Sequence, residues 1–137
     1  MTKIHSQQGG ISQMPGVITT IRRKKMASAS YTGVIDKVAY IGLGTGAVDA
    51  NGKVIDPDPD ANGLHNEIVR RAYDTAVLSD TETSYKYSLK LTEAEFVGEK
   101  INEMALYDSN NDAVAILSFS NKEKDDDIAI YSINDNY

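Results

Sequence analysis

"YIGLGTGAVDANGKVIDPDPDANGLHNEIVRR", residues 40–71, joins three glycines at alternate positions to an acidic, proline-bearing loop and then to a mixed apolar and basic stretch. Its reading decides whether the chain cradles a phosphate, wraps a metal or uses these residues only to fold. A phosphate loop spaces its glycines as G-x-G-x-x-G or G-x-x-x-x-G-K-[ST], so that backbone N–H groups and a helix N-terminus converge on the anion. Here Gly42, Gly44 and Gly46 run as G-x-G-x-G, with no Lys-Ser or Lys-Thr after them. Asp49, Asp56, Asp58 and Asp60 follow, and their charge would repel a phosphate. The glycines are therefore expected to end a strand and permit a turn.

The aspartates raise a second possibility. Counted from Asp56, acidic residues stand at the first, third and fifth positions of a loop whose twelfth residue is Glu67, which is the register of an EF-hand. The sixth position, which needs glycine, holds Ala61, and Pro57 and Pro59 stiffen the turn that would wrap the ion. A solvated acidic loop is the preferred reading; a calcium-dependent surface or carbohydrate-binding module using Asp56, Asp58, Asp60 and Glu67 is the alternative.

Outward from this stretch, "VIDKVAYIGLG" (34–44) reads as a buried strand stopped by glycine. "GLHNEIVRRAYDTAV" sets Leu64, Ile68, Ala72 and Ala76 at helical spacing with Asn62 as cap, so a helix over at least its first half is expected. Upstream, "VITTIRRKKMASAS" (17–30) fits a short helix or a strand, its apolar positions suiting the first and its β-branched start the second. Downstream, Tyr85, Tyr87, Leu89 and Leu91 alternate with polar residues as in a half-exposed strand. Residues 92–100 read as a one-turn helix or wide loop with Thr92 and Glu95 at capping-box spacing. "INEMALYD" and "AVAILSF" form a hairpin about "SNND", and "IAIYSI" (128–133) is a last strand. The expectation is a single α+β, mainly β domain over 17–137, with about five to six mostly antiparallel strands and one or two short helices. Residues 1–16, polar and poor in anchors, read as a flexible N-terminal arm.

Composition narrows the chemistry. The 137 residues carry a formal charge of −6 and no cysteine, which removes thiolate nucleophiles and cysteine-ligated zinc and argues against a nucleic-acid surface. No run approaches the length of a membrane span, so no membrane insertion is expected. His5 and His65 are too few for a histidine zinc set, no G-x-S-x-G elbow occurs, and Glu93, Glu95, Glu99 and Glu103 read as solvated side chains. No enzyme chemistry and no cofactor are expected. The basic cluster Arg22, Arg23, Lys24 and Lys25 is expected to meet acidic protein surface.

The order of these pieces resembles the N-terminal domain of phage tail-collar and tail-fibre proteins. The resemblance covers most of residues 17–120 and rests on the "IGLG" strand with Gly42 and Gly44, on Leu64, Asn66, Glu67 and Arg70, and on Ile101, Glu103, Leu106, Tyr107, Asp108 and Ala115. It implies a structural protein of a phage tail or tail-like particle, made in the host bacterial cytoplasm. Such a protein would assemble in several copies, by analogy trimers, and join fibre to tail or baseplate as an adaptor of a contractile tail. Family members place a fibre shaft beyond this domain, and the chain stopping at Tyr137 is expected to represent the attachment half. Glu67 and Arg70 are expected to pair on a helix, or Arg70 to reach Glu103 on the hairpin.

Overall fold

A computed structural model describes residues 16–136. The elements run β1 (Gly16–Ile18), α1 (Thr20–Thr32), β2 (Val38–Gly44), β3 (Glu67–Ala72), β4 (Thr75–Leu78), β5 (Tyr85–Leu91), β6 (Lys100–Asp108), β7 (Ala113–Glu123) and β8 (Ala129–Asn134). They form a five-stranded sheet in the order β1-β7-β6-β2-β3 and a three-stranded sheet β4-β5-β8, with every strand pair antiparallel. The mainly β class of the sequence reading stands, with more strands than it counted.

Two layers follow from the period of two along each strand. Ile41 and Leu43 of β2, Met104 and Leu106 of β6, and Leu117 and Phe119 of β7 meet Leu89 and Leu91 of β5 and Ile133 of β8 in one buried cluster. The outer face of the larger sheet holds a smaller cluster, Ala105, Tyr107, Ala113 and Ile116, which Ala61 and Leu64 cover from the long connection between β2 and β3. That connection is packed rather than merely solvated: Pro57 is buried, and Pro59 O accepts a 2.8 Å bond from Thr20 N.

The helix expected across residues 64–76 is instead the strand pair β3 and β4. Leu64 packs on the outer face and Ile68 and Val69 against the inner cluster, so residues at helical spacing serve opposite sides of a sheet. Ala72 and Ala76 are exposed, and β-branched Ile68 and Val69 suit the strand that pairs with β2. Asn62 caps no helix; its Oδ1 accepts from Ala113 N at 2.7 Å and its Nδ2 donates to Asp112 Oδ1 at 3.1 Å.

Both readings of residues 17–30 apply in turn. Val17 and Ile18 pair with Ile116 and Ala115. Thr19 then caps α1, its Oγ1 accepting from Arg22 N at 3.1 Å, and its hydroxyl donates to Ala113 O. Gly33, in the left-handed region at φ 76°, closes the helix through a 2.7 Å bond from its N–H to Ala29 O. The apolar stretch 34–44 becomes strand only from Val38. Residues 92–99 form turns, and Glu95 Oε1 accepts from Thr92 N at 2.8 Å. Of the expected arm 1–16, all but Gly16 lies outside the described residues.

Candidate functional site

Gly42, Gly44 and Gly46 do not turn the chain; they thin it. None of the three has a positive φ, and two of them lie inside β2. A Cβ at Gly44 would stand 2.5 Å from both Asn66 O and Glu103 Oε2, and one at Gly46 would stand 2.7 Å from His65 Cβ and 2.8 Å from Asn66 N. At Gly42 it would overlap Glu67 Oε1 and lie 2.9 Å from Tyr107 Cε2. Alternate glycines thus clear one face of β2 so that the returning chain and two carboxylates can lie directly on the backbone. Those carboxylates occupy the space where a phosphate would have to bind.

Glu103, 1% exposed, turns that cleared face into a clamp. Its Oε1 accepts from His65 N at 2.9 Å, while its Oε2 accepts from Asn66 N at 2.8 Å and Gly46 N at 2.9 Å. Next to it, buried Asn102 accepts from Ala47 N at 2.8 Å and donates to Thr45 O at 3.1 Å and Asn121 Oδ1 at 2.9 Å. Asn66 closes the corner with a 2.7 Å bond from Nδ2 to Thr45 Oγ1. The two ends of the long connection are therefore held by side chains of β6 where no ladder reaches them. Leu106, from the same strand, points into the inner core.

Glu67 and Arg70 do pair, at 2.8 Å between Nε and Oε2, but on a strand. Residues three apart on a regular strand face opposite ways. Here Leu43 lies opposite Val69 and Gly44 opposite Glu67, so Ile68 is an extra residue on β3, and this bulge returns Glu67 and Arg70 to one face. Tyr107 completes the group: its hydroxyl donates to Glu67 Oε1 at 2.6 Å, and the Arg70 guanidinium lies 3.5 Å from its ring centroid. Burial, reinforced by the bond to Glu67, pushes the Tyr107 phenol well above its usual range. Burial alone would lower the Arg70 value, but its bond to Glu67 carries it upward. Arg70 does not reach Glu103, whose oxygens are given to backbone N–H groups.

The basic cluster divides. Arg22 is buried and its Nη1 donates to Asp36 O at 2.7 Å. Lys25 Nζ lies 2.8 Å from Asp36, 2.7 Å from Asp108 and 2.7 Å from Asp112. Desolvation opposes the charge, yet the bonds to Asp108, Asp112 and Asp36 hold the ammonium well above its usual range. Asp108, 1% exposed, also builds the β6–β7 turn, its Oδ1 accepting from Asn110 N at 2.9 Å and Asp112 N at 3.0 Å. Arg22 and Lys25 thus dock α1 onto the domain, and Arg23 and Lys24 remain exposed.

The proposed calcium ligands are not brought together. Asp58 Oδ1 accepts from Asp60 N, Asp60 Oδ1 accepts from Thr20 Oγ1 at 2.6 Å, and Glu67 is committed to Arg70 and Tyr107. Among the described residues the acidic oxygens that converge belong to exposed Asp125, Asp126 and Asp127. The His65 side chain is exposed and contributes its backbone N–H to Glu103. Sequence reasoning missed Asn102, the Lys25 cluster and the bond pair between Arg71 and Glu95 at 2.8 and 2.9 Å. Asn102 offered one signal, a polar residue among apolar neighbours in "INEMALYD". The ion pairs, spanning 11 to 87 residues, offered none.

What the arrangement does is hold chain segments in place through backbone-directed carboxylates and amides. Comparison with curated proteins and with solved structures finds no match. The family described as "Phage tail-collar fibre protein, N-terminal" matches residues 12–135, nearly the whole chain and including every residue of the clamp. The chain therefore belongs to the phage tail-collar fibre protein N-terminal family, whose members are structural, non-enzymatic components of the virion tail.

Proposed function

We propose that this domain is the attachment module of a tail fibre, joining fibre to baseplate or tail by assembling in several copies. The observation that carries the reading is the contrast between its polar groups and its helix. Glu103, Asn102, Glu67, Arg70 and Asp108 are turned inward on the chain's own backbone and side chains, which makes a rigid platform. Helix α1 is docked on that platform through Arg22 and Lys25 and presents its remaining surface outward, as an adaptor needs. Residues 1–16, the expected contact arm, add a second attachment element in this reading.

The test is incorporation. Tails assembled with a chain lacking residues 1–16 should lose the protein while the isolated domain keeps its melting transition. Tails that carry normal amounts of the truncated chain would remove the arm from the mechanism.

A further inference from the structure

Two patches on the described surface combine exposed apolar residues with charges of opposite sign. The first lies on α1, where Ala27 and Ser28 each stand three or four residues from Lys24 and from Tyr31, and all are exposed. Tyr31 is 95% and Val34 73% exposed, and Arg23 flanks the stripe. A helix of this length draws most of its stability from packing an apolar face, yet only Arg22 of α1 is buried. The second patch joins exposed Asp125, Asp126 and Asp127 to Ile128, Ile130 and Val97, each about half exposed. A 2.7 Å bond from Gly98 N to Lys124 O brings the Val97 turn beside the acidic one.

The two patches lie toward opposite ends of β7. Thr19, the cap of α1, bonds Ala113 and Val114 at the start of that strand, and the acidic turn follows Glu123 at its end. The ends are ten steps apart, from Ala113 to Glu123, or about 33 Å at roughly 3.3 Å per step. One copy cannot bring its own patches together, whereas a neighbour can. A two-fold contact centred on either patch alone would set basic against basic or acidic against acidic, on a chain whose net charge is already −6.

We propose that the α1 stripe of one copy docks on the 125–130 patch of the next, in a head-to-tail contact between copies of this chain. Lys24 and Arg23 meet the three aspartates, and Tyr31 and Val34 cover Ile128 and Ile130. A head-to-tail contact closes into a ring when its rotation divides the circle. This interface rests on the multi-copy reading above and gives it a surface.

Native mass spectrometry and sedimentation of the full chain test it. The wild type should form one closed oligomer that weakens as salt rises. Arg23→Glu with Lys24→Glu should be monomeric, as should Asp125→Lys with Asp126→Lys, each with an unchanged melting curve because these residues are exposed. Mixed together, the two variants retain one native contact, the basic stripe of the patch variant on the acidic patch of the stripe variant. They should give a mixed oligomer when their reversed faces are brought together, and Lys24→Glu with Asp126→Lys in one chain should restore self-association. An oligomer that survives both charge reversals overturns this interface and leaves multi-copy assembly standing. A wild type that stays monomeric at every concentration overturns both, including where it is captured only by another tail protein.

Discussion

The seam between β2 and β6 and the helix α1 are built on opposite plans. Along the seam there is no room for a methyl group at Gly42, Gly44 or Gly46, and buried Glu103 gives both oxygens to backbone N–H groups. Along α1, two inward cations hold the helix and the stripe from Lys24 to Tyr31 faces outward. The difference separates two tasks. Close packing fixes one geometry, because any change in volume is felt at once, while an exposed helix face leaves its chemistry available to a neighbour.

Breaking the seam should have the largest effect. Glu103→Ala strands three backbone N–H groups in a buried corner and should cost about 4 kcal/mol in chemical denaturation. Gly44→Ala, which must displace Asn66 O and Glu103, should cost about 3 kcal/mol. Substitution of the helix anchor comes next. Lys25→Met leaves buried Asp108 without its cation and should cost about 2 kcal/mol. Its signature is local: hydrogen exchange should quicken in α1 and the β6–β7 turn while the amides of β2 and β5 keep their protection. If the sheet amides quicken equally, the two regions are not separable.

Smaller changes sharpen the same contrast. Arg70→Met removes a partly exposed pair and the cation over Tyr107, so a loss of about 1 kcal/mol is expected in thermal melts, with no change in assembly. The least effect belongs to Glu95 at the surface, whose carboxyl the Arg71 guanidinium and Thr92 N–H hold down at about 2. Its folded value lies below the unfolded one, so its contribution is present above about pH 4.5 and is lost as pH falls towards 2. A pH series of melting temperatures should show Glu95→Gln slightly below the wild type at neutrality, with a slightly shallower acid limb so that the two converge as pH falls towards 2.

Residues 85–91 and the hairpin of 101–119 were legible because each period is local: alternating side chains, or two apolar runs about a turn of Ser, Asn and Asp. Residues 64–76 were misleading for the opposite reason. Leu64 and Ile68 are four apart and apolar, and spacing alone does not disclose that one covers the outer face of a sheet and the other its core. The glycines were recognised as a strand end, but their purpose depends on Glu67 and Glu103, which arrive from elsewhere in the chain.

By itself the sequence determined the mainly β class and the family, since these rest on local pattern and motif order, while it left the partner of Arg70 open between Glu67 and Glu103. Only the tertiary structure decided that β3 replaces a helix, that the glycines make space, and that Arg22 and Lys25 turn inward while Arg23 and Lys24 face out. Each of those outcomes is set by contacts between segments tens of residues apart, where burial and hydrogen-bond satisfaction outweigh the preferences of any single stretch.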